Sequence, residues 1–95
     1  MSQYHLGEFE EVVLLTVAIL HDEAYGVAIT DEMEKRLNRK VSIGALQTVL
    51  RRLENKGLLT SEFGEATKIR GGKRKRYFTL TLQGQKILDK AKEQR

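Results

Sequence analysis

Hydrophobic positions along the chain predict a helix over about residues 7–21. One helical stripe comprises Phe9, Val12, Val13, Val17 and Leu20. The second half of this segment is apolar nearly all round, which is typical of a helix buried on several faces. In so short a chain, we expect part of that surface to face a second subunit.

Two further helices follow. Over about residues 25–38, Ile29, Met33 and Leu37 recur every four positions on an otherwise charged helix. The third helix is predicted to begin after Ser42, a good N-cap, and to end before Gly57. Its expected core positions are Ile43, Leu46, Leu50 and Leu53.

The remaining segments predict a β-hairpin and a last helix. Extended runs cover about residues 58–63 and 76–80, and the Gly71-Gly72 pair between them is a turn signal. Thr81 is expected to cap the last helix. The apolar positions of that helix are Leu82, Ile87, Leu88 and Ala91.

This order of elements predicts an α+β, mainly α, winged helix-turn-helix fold, with three helices, a β-hairpin wing and a C-terminal helix. We assign residues 1–81 to the winged helix domain. Residues 82–95 are assigned to the C-terminal helix, with a predicted role in dimerisation.

Composition narrows the class of protein. The chain has 95 residues, a net charge of +4 and no cysteine, which excludes disulfides and thiolate metal sites. Residues 1–34 contain no lysine or arginine, so the positive charge lies in the rest of the chain. We find no secretory signal and no apolar run of membrane-spanning length, and we expect a cytoplasmic protein.

The densest positive charge lies in the predicted wing, where residues 68–76 carry six cations and no acid: Lys68, Arg70, Lys73, Arg74, Lys75 and Arg76. Phosphates attract such a cluster, and counterion release favours their binding. A solvated loop tip is the alternative interpretation. The position of the cluster, directly after a helix with an arginine on its free face, favours nucleic acid.

The free face of the third helix is the second candidate site. It is small near its N-terminus and basic further along, as a helix entering the major groove requires. The residues of this candidate face are Ser42, Gly44, Ala45, Gln47, Thr48 and Arg51. Their polar groups can reach base edges or phosphates, and the helix N-terminus favours an anion.

Four segments carry a resemblance to the PadR-like regulators. They are Leu6-Gly7-x-x-Glu10, Tyr25-Gly26-x-x-Ile29, Leu50-Arg51-Arg52-Leu53-Glu54-x-x-Gly57-Leu58 and Arg74-Lys75-Arg76-Tyr77-Phe78-x-Leu80-Thr81-x-x-Gly84. Their order and spacing resemble the family over almost the whole chain. MarR-like and ArsR-like winged helices share the layout but fit these segments less well. Because the last helix ends by residue 95, the chain resembles the short subgroup, or a shortened chain.

The resemblance implies a homodimeric transcription factor, usually a repressor, that binds a pseudo-palindromic site on double-stranded DNA. Gln47 stands where the family often has a tyrosine that contacts the DNA backbone. Dimerisation through the last helix, helped by the first, implies an interface that includes Phe9, Val13, Ile87, Leu88 and Ala91. Some relatives bind aromatic effectors through a tryptophan. This chain has no tryptophan, so no ligand is carried over and the existence of a small-molecule effector stays open.

Other classes of function fit less well. His5 and His21 have no cysteine partner, and a metal site from them with Glu8 or Asp22 is a poor candidate. No nucleophilic or acid–base constellation indicates an enzyme, and we expect no cofactor and no metal. A winged helix that binds an acidic protein partner remains an alternative, as does an architectural DNA binder without sequence preference.

Overall fold

The computed structural model describes residues 6–64 and 75–93. Within these ranges the chain forms α1 (Glu8–Leu20), α2 (Gly26–Leu37), α3 (Ile43–Asn55), β1 (Leu59–Phe63), β2 (Arg76–Leu80) and α4 (Leu82–Glu93). A 3₁₀ turn (His21–Glu23) lies between α1 and α2. The predicted winged helix-turn-helix fold is confirmed. The predicted turn at Gly71-Gly72 lies outside the described residues.

The start of α1 is stabilised by the carboxylate of Glu10 and not by a hydroxyl at the N-cap position. The carboxylate of Glu10 accepts a hydrogen bond of 3.1 Å from the amide of Gly7, the N-cap residue. The helix buries Val13, Leu14 and Val17, and also Thr16. The Thr16 hydroxyl donates to the Val12 carbonyl at 2.7 Å, so this buried polar group is satisfied.

The turn between α2 and α3 is held by local hydrogen bonds. Asn38 ends α2 in the left-handed conformation, which asparagine tolerates better than most residues. The Glu34 carboxylate then accepts the amide of Val41 at 2.8 Å, and Ser42 caps α3 by accepting the amide of Ala45 at 3.2 Å. These bonds set the direction in which α3 leaves α2.

The wing is a two-stranded antiparallel sheet in which Leu59 pairs with Leu80 and Phe63 pairs with Arg76. Gly57 takes the positive φ of 80° that lets the chain reverse from α3 into β1. The start of α2 also joins the wing, because Tyr25 forms a β-bridge with Tyr77.

The last helix packs back onto the domain. The Thr81 hydroxyl accepts the amide of Gly84 at 2.9 Å and donates to the Gly57 carbonyl at 2.7 Å, so it fastens the helix start to the end of α3. A side chain at position 84 would collide with the carbonyl of Leu58. Glycine there lets α4 approach β1, and Leu88 completes the core.

Two sequence assignments of apolar positions change, and one buried position was missed. Ile43 was expected in the core but is 46% exposed, and Val49 is buried instead. Ile43 is the first residue of α3, at the edge of its buried face, so the rest of the core does not reach it. Leu82, expected on the apolar side of α4, is 74% exposed. None of the helices in the described part of the chain is long and apolar enough to cross a bilayer.

The residues expected at a dimer interface divide into two groups. Val13 and Leu88 are fully covered within one chain, with 0% and 1% exposure. They therefore stabilise the monomer core and have no free surface for a partner. Phe9, Ile87 and Ala91 are half-buried at the surface, and their contact with a second subunit stays a prediction.

Candidate nucleic-acid interface

The predicted recognition face of α3 is open to solvent. Gly44, Thr48 and Arg51 lie along its centre and all are exposed, whereas Leu46, Leu50 and Leu53 hold the opposite face in the core. The Thr48 hydroxyl donates to the Gly44 carbonyl at 3.1 Å and keeps its acceptor capacity for a ligand. A rigid helix therefore presents small side chains first and a cation two turns further on.

A groove runs beside this face, between the start of α2, α3 and the base of the wing. Its volume is about 970 Å³. Gln47 and Arg51 line it from α3, and Lys75 and Arg76 line it from the wing. The other predicted residues of this face are not among the lining residues: Ser42, Gly44, Ala45 and Thr48. The fold thus brings part of the predicted helix face and part of the predicted wing onto one surface.

Lys75 is positioned by aromatic rings. Its Nζ lies 4.2 Å from the centroid of the Tyr25 ring, in a cation–π contact. Tyr25 in turn packs edge-on against Tyr77, with 5.5 Å between ring centroids. Lys75 remains exposed. A cation held in this way is available to a phosphate.

Arg76 is more engaged than the sequence suggested. Its Nε donates to the Ser61 hydroxyl at 2.9 Å, and that hydroxyl donates to Glu54 at 2.7 Å. The guanidinium also lies 5.2 Å from the Phe63 ring and 3.9 Å from the Glu54 carboxylate. Arg76 therefore fastens the wing to α3, with half of its side chain still exposed.

A second charged cluster anchors the far side of α3. The Glu10 carboxylate lies 3.5 Å from both Arg52 and Lys56, near the end of α3. Burial raises the pKa of Glu10, but the bond from Gly7 and the two cations outweigh it, so the net pKa is lowered. Arg52, at the edge of the basic face, is therefore partly engaged in an ion pair with Glu10 of α1.

Four predicted wing cations, Lys68, Arg70, Lys73 and Arg74, lie outside the described residues. Their contact with DNA stays a prediction. Those that are described, Lys75 and Arg76, line the groove described above.

Among the groove residues that sequence reasoning did not assign to the site are Tyr25, Val27 and Ile43. Tyr25 is half-buried at the start of α2. Val27 interrupts the polar face of α2, and this is the signal that could have marked it. Glu10 was noted only as part of a resemblance. The spacing of Gly7 and Glu10 is that of a capping box without its hydroxyl.

Two helices joined by a tight turn, an exposed second helix and an antiparallel wing define a winged helix-turn-helix DNA-binding domain. The model of the transcriptional regulator PadR-like family matches residues 14–90. The chain therefore belongs to the PadR-like family of DNA-binding transcriptional regulators, as its sequence resemblance implied.

Solved structures agree with this assignment. A PadR-like transcription factor from Bacteroides fragilis is 31% identical, with a TM-score of 0.74 over 90% of this chain and 78% of that one. A transcriptional regulator from Clostridium thermocellum is 25% identical, with a TM-score of 0.73 over 90% and 79%. A PadR family regulator from Eggerthella lenta is 27% identical, with a TM-score of 0.71 over 92% and 75%. Among curated proteins, none matches the chain.

Proposed function

We propose that the protein is a sequence-specific repressor that binds a pseudo-palindromic operator as a homodimer. The observation that carries the proposal is the shared surface of α3 and the wing, where Gln47 and Arg51 face the same groove as Lys75. A helix of this kind fits the major groove of DNA, and the adjacent cations fit its phosphates.

The two parts of the surface have different roles in this proposal. Thr48 and Arg51, on the free face of α3, read base edges, since arginine pairs with guanine through two hydrogen bonds. The small side chains of Ser42, Gly44 and Ala45 let the helix N-terminus, which favours an anion, approach a phosphate of the DNA backbone. The wing cations bind flanking phosphates or the minor groove, without dependence on sequence.

Dimerisation sets the spacing of the operator. Phe9 on α1 and Ile87 and Ala91 on α4 form the proposed interface, and the 74% exposure of Leu82 adds apolar surface to α4. A two-fold axis there would place two α3 helices about 34 Å apart, or a multiple of this distance, matching half-sites separated by helical turns.

Selection of bound fragments from genomic DNA by the purified protein tests DNA binding, palindromy and half-site spacing together. Sedimentation equilibrium gives the oligomeric state of the same sample. We expect enrichment of an inverted repeat and a dimer mass. Binding without sequence enrichment would instead indicate an architectural protein, and no binding at low salt would favour a protein partner. The repressing sign rests on the family resemblance and is tested with a promoter fusion.

Arg51→Ala tests base recognition. We expect it to weaken operator binding by about 1–3 kcal/mol and to relax preference at one base pair of each half-site. Arg36→Ala is the matched control, because Arg36 lies on α2 in an ion pair with Glu32. Equal losses of affinity on all operator variants would make Arg51 a phosphate contact.

Replacement of residues 73–76 by alanine tests the wing. Each lost phosphate contact lowers the slope of log affinity against log salt by about 0.9. We expect weaker binding to every duplex and a flatter slope in anisotropy titrations. An unchanged slope would remove the wing from the mechanism.

A further inference from the structure

Two aliphatic side chains in the groove are exposed, one at the start of α2 and one at the start of α3. Val27, the second residue of α2, is 61% exposed, and Ile43, the first residue of α3, is 46% exposed. The two helix starts adjoin, because a Cβ built on Gly26 would lie 3.8 Å from the Ile43 Cδ1. Both side chains line the groove together with Gln47 and Arg51.

Packing within the chain does not explain why Val27 and Ile43 lie exposed in the groove. The core holds Ile29 and Met33 from α2 and Leu46 from α3, each with 0% exposure. Val27 and Ile43 leave most or nearly half of their surface in water beside cationic side chains. Valine and isoleucine cannot donate to a phosphate, so a surface that bound the DNA backbone alone would gain nothing from them.

The DNA major groove offers one apolar group that fits them. The C5-methyl group of thymine is exposed at its base edge, and apolar side chains contact it. Ile43 lies at the N-terminal end of the recognition helix, the end that reaches base edges. Gln47 follows one helical turn later and can pair with an adenine. The flanking Arg51 and Lys75 favour a polyanion over an apolar protein partner as the occupant.

We propose that Val27 and Ile43 contact thymine C5-methyl groups in each half-site of the operator. This inference rests on the proposed function and adds to it a part of the operator code. The side chains discriminate A·T from G·C pairs by burying a methyl group. One buried methyl group corresponds to about a fourfold change in affinity, from about 0.8 kcal/mol for its removal from water.

The test replaces each thymine of the selected operator by deoxyuridine, one at a time. Deoxyuridine keeps the hydrogen-bonding groups of thymine and lacks the methyl group. We measure the affinity of the wild-type protein for each duplex by fluorescence anisotropy. We expect about a fourfold loss at one or two thymines of each half-site and no loss at flanking thymines.

Protein variants assign the effect to the two residues. Val27→Ser and Ile43→Ser remove every methyl group of the side chain and introduce a hydroxyl. In these variants, we expect the deoxyuridine penalty to fall toward onefold at the thymine that each residue reads. Ile19→Ser is the matched control, since Ile19 is also 46% exposed but lies on α1 and does not line the groove. It should keep the full penalty.

Several results would overturn the inference. Wild-type protein that binds every deoxyuridine duplex as tightly as the thymine duplex reads no methyl group, although the proposed function would stand. A penalty that persists in both groove variants would assign the methyl contact to other residues. Failure to bind the thymine-containing operator at all would overturn the proposed function and this inference together. The deoxyuridine series uses wild-type protein, so its result does not depend on whether a variant folds.

Discussion

We expect Glu10→Gln to weaken the contact between α1 and the end of α3 and so to lower the stability of the fold. The Glu10 carboxylate accepts the Gly7 amide and lies 3.5 Å from Arg52 and Lys56. Glutamine has nearly the same shape and can still accept the amide, so the substitution removes chiefly the charge. Arg52 and Lys56 are partly exposed and remain solvated, which keeps the loss moderate.

The size of the expected loss of stability follows from the partners of the Glu10 carboxylate. Exposed ion pairs contribute up to about 1 kcal/mol each, and hydrogen bonds to a charged group are stronger than neutral ones. Two such pairs and one weakened bond give a loss of about 1–2 kcal/mol. In a domain of this size, each kcal/mol lowers the melting temperature by about 4–8 °C.

The loss should depend on pH with a definite sign. The pKa of Glu10 is lowered in the folded chain from its ordinary value of 4.5. Its stabilisation is therefore complete above the unfolded pKa and is lost as pH falls through the folded pKa. We expect wild type and Glu10→Gln to differ most at neutral pH and to converge in acid below pH 4.5.

Urea denaturation followed by circular dichroism, at neutral pH and through the acid range, measures the difference. Protein concentrations tenfold apart separate any contribution from dimerisation. Glu8→Gln is the matched control, since Glu8 is an exposed acid in the same first turn of α1. A difference that is constant with pH, or equal for the two variants, would refute the ion-pair account.

Substitutions at Gly84 and Ser42 test the packing of α4 and the cap of α3. Gly84→Ala should destabilise the fold by about 1–3 kcal/mol in urea denaturation, because its Cβ would meet the Leu58 carbonyl. Gly44→Ala, on the open face of α3, should be neutral or stabilising, and equal losses would show that helix packing is not the cause. Ser42→Ala should remove about 1 kcal/mol of stability, whereas Ser42→Asp should keep the cap and weaken DNA binding by adding negative charge. An Asp variant that bound DNA as tightly as wild type would place the start of α3 away from the phosphates.

Local signals predicted the elements well. Ser42 caps α3 as expected, and β2 covers the predicted residues 76–80. Thr81 caps α4 as expected, because a hydroxyl three residues before Gly84 satisfies a free amide. Such features depend on neighbours along the chain, and for this reason sequence alone could predict them.

Contacts between distant segments were harder to predict. Glu10 and Lys56 are 46 positions apart, and no periodicity links them. Arg76 looked like one more wing cation, but Ser61 and Glu54 become its partners only when β1 pairs with β2. Ile43 fits the apolar period of α3, yet its place at the helix end leaves it outside the core.

The proposed function depends most on the binding of α3 and the groove beside the wing to duplex DNA. An anisotropy titration of labelled operator duplex, repeated with Arg51→Ala at several salt concentrations, tests this claim most directly. We expect saturable binding whose log affinity falls linearly with log salt, and a smaller preference for operator over scrambled duplex in the variant. Wild-type protein that left both duplexes unbound in low salt would contradict the account.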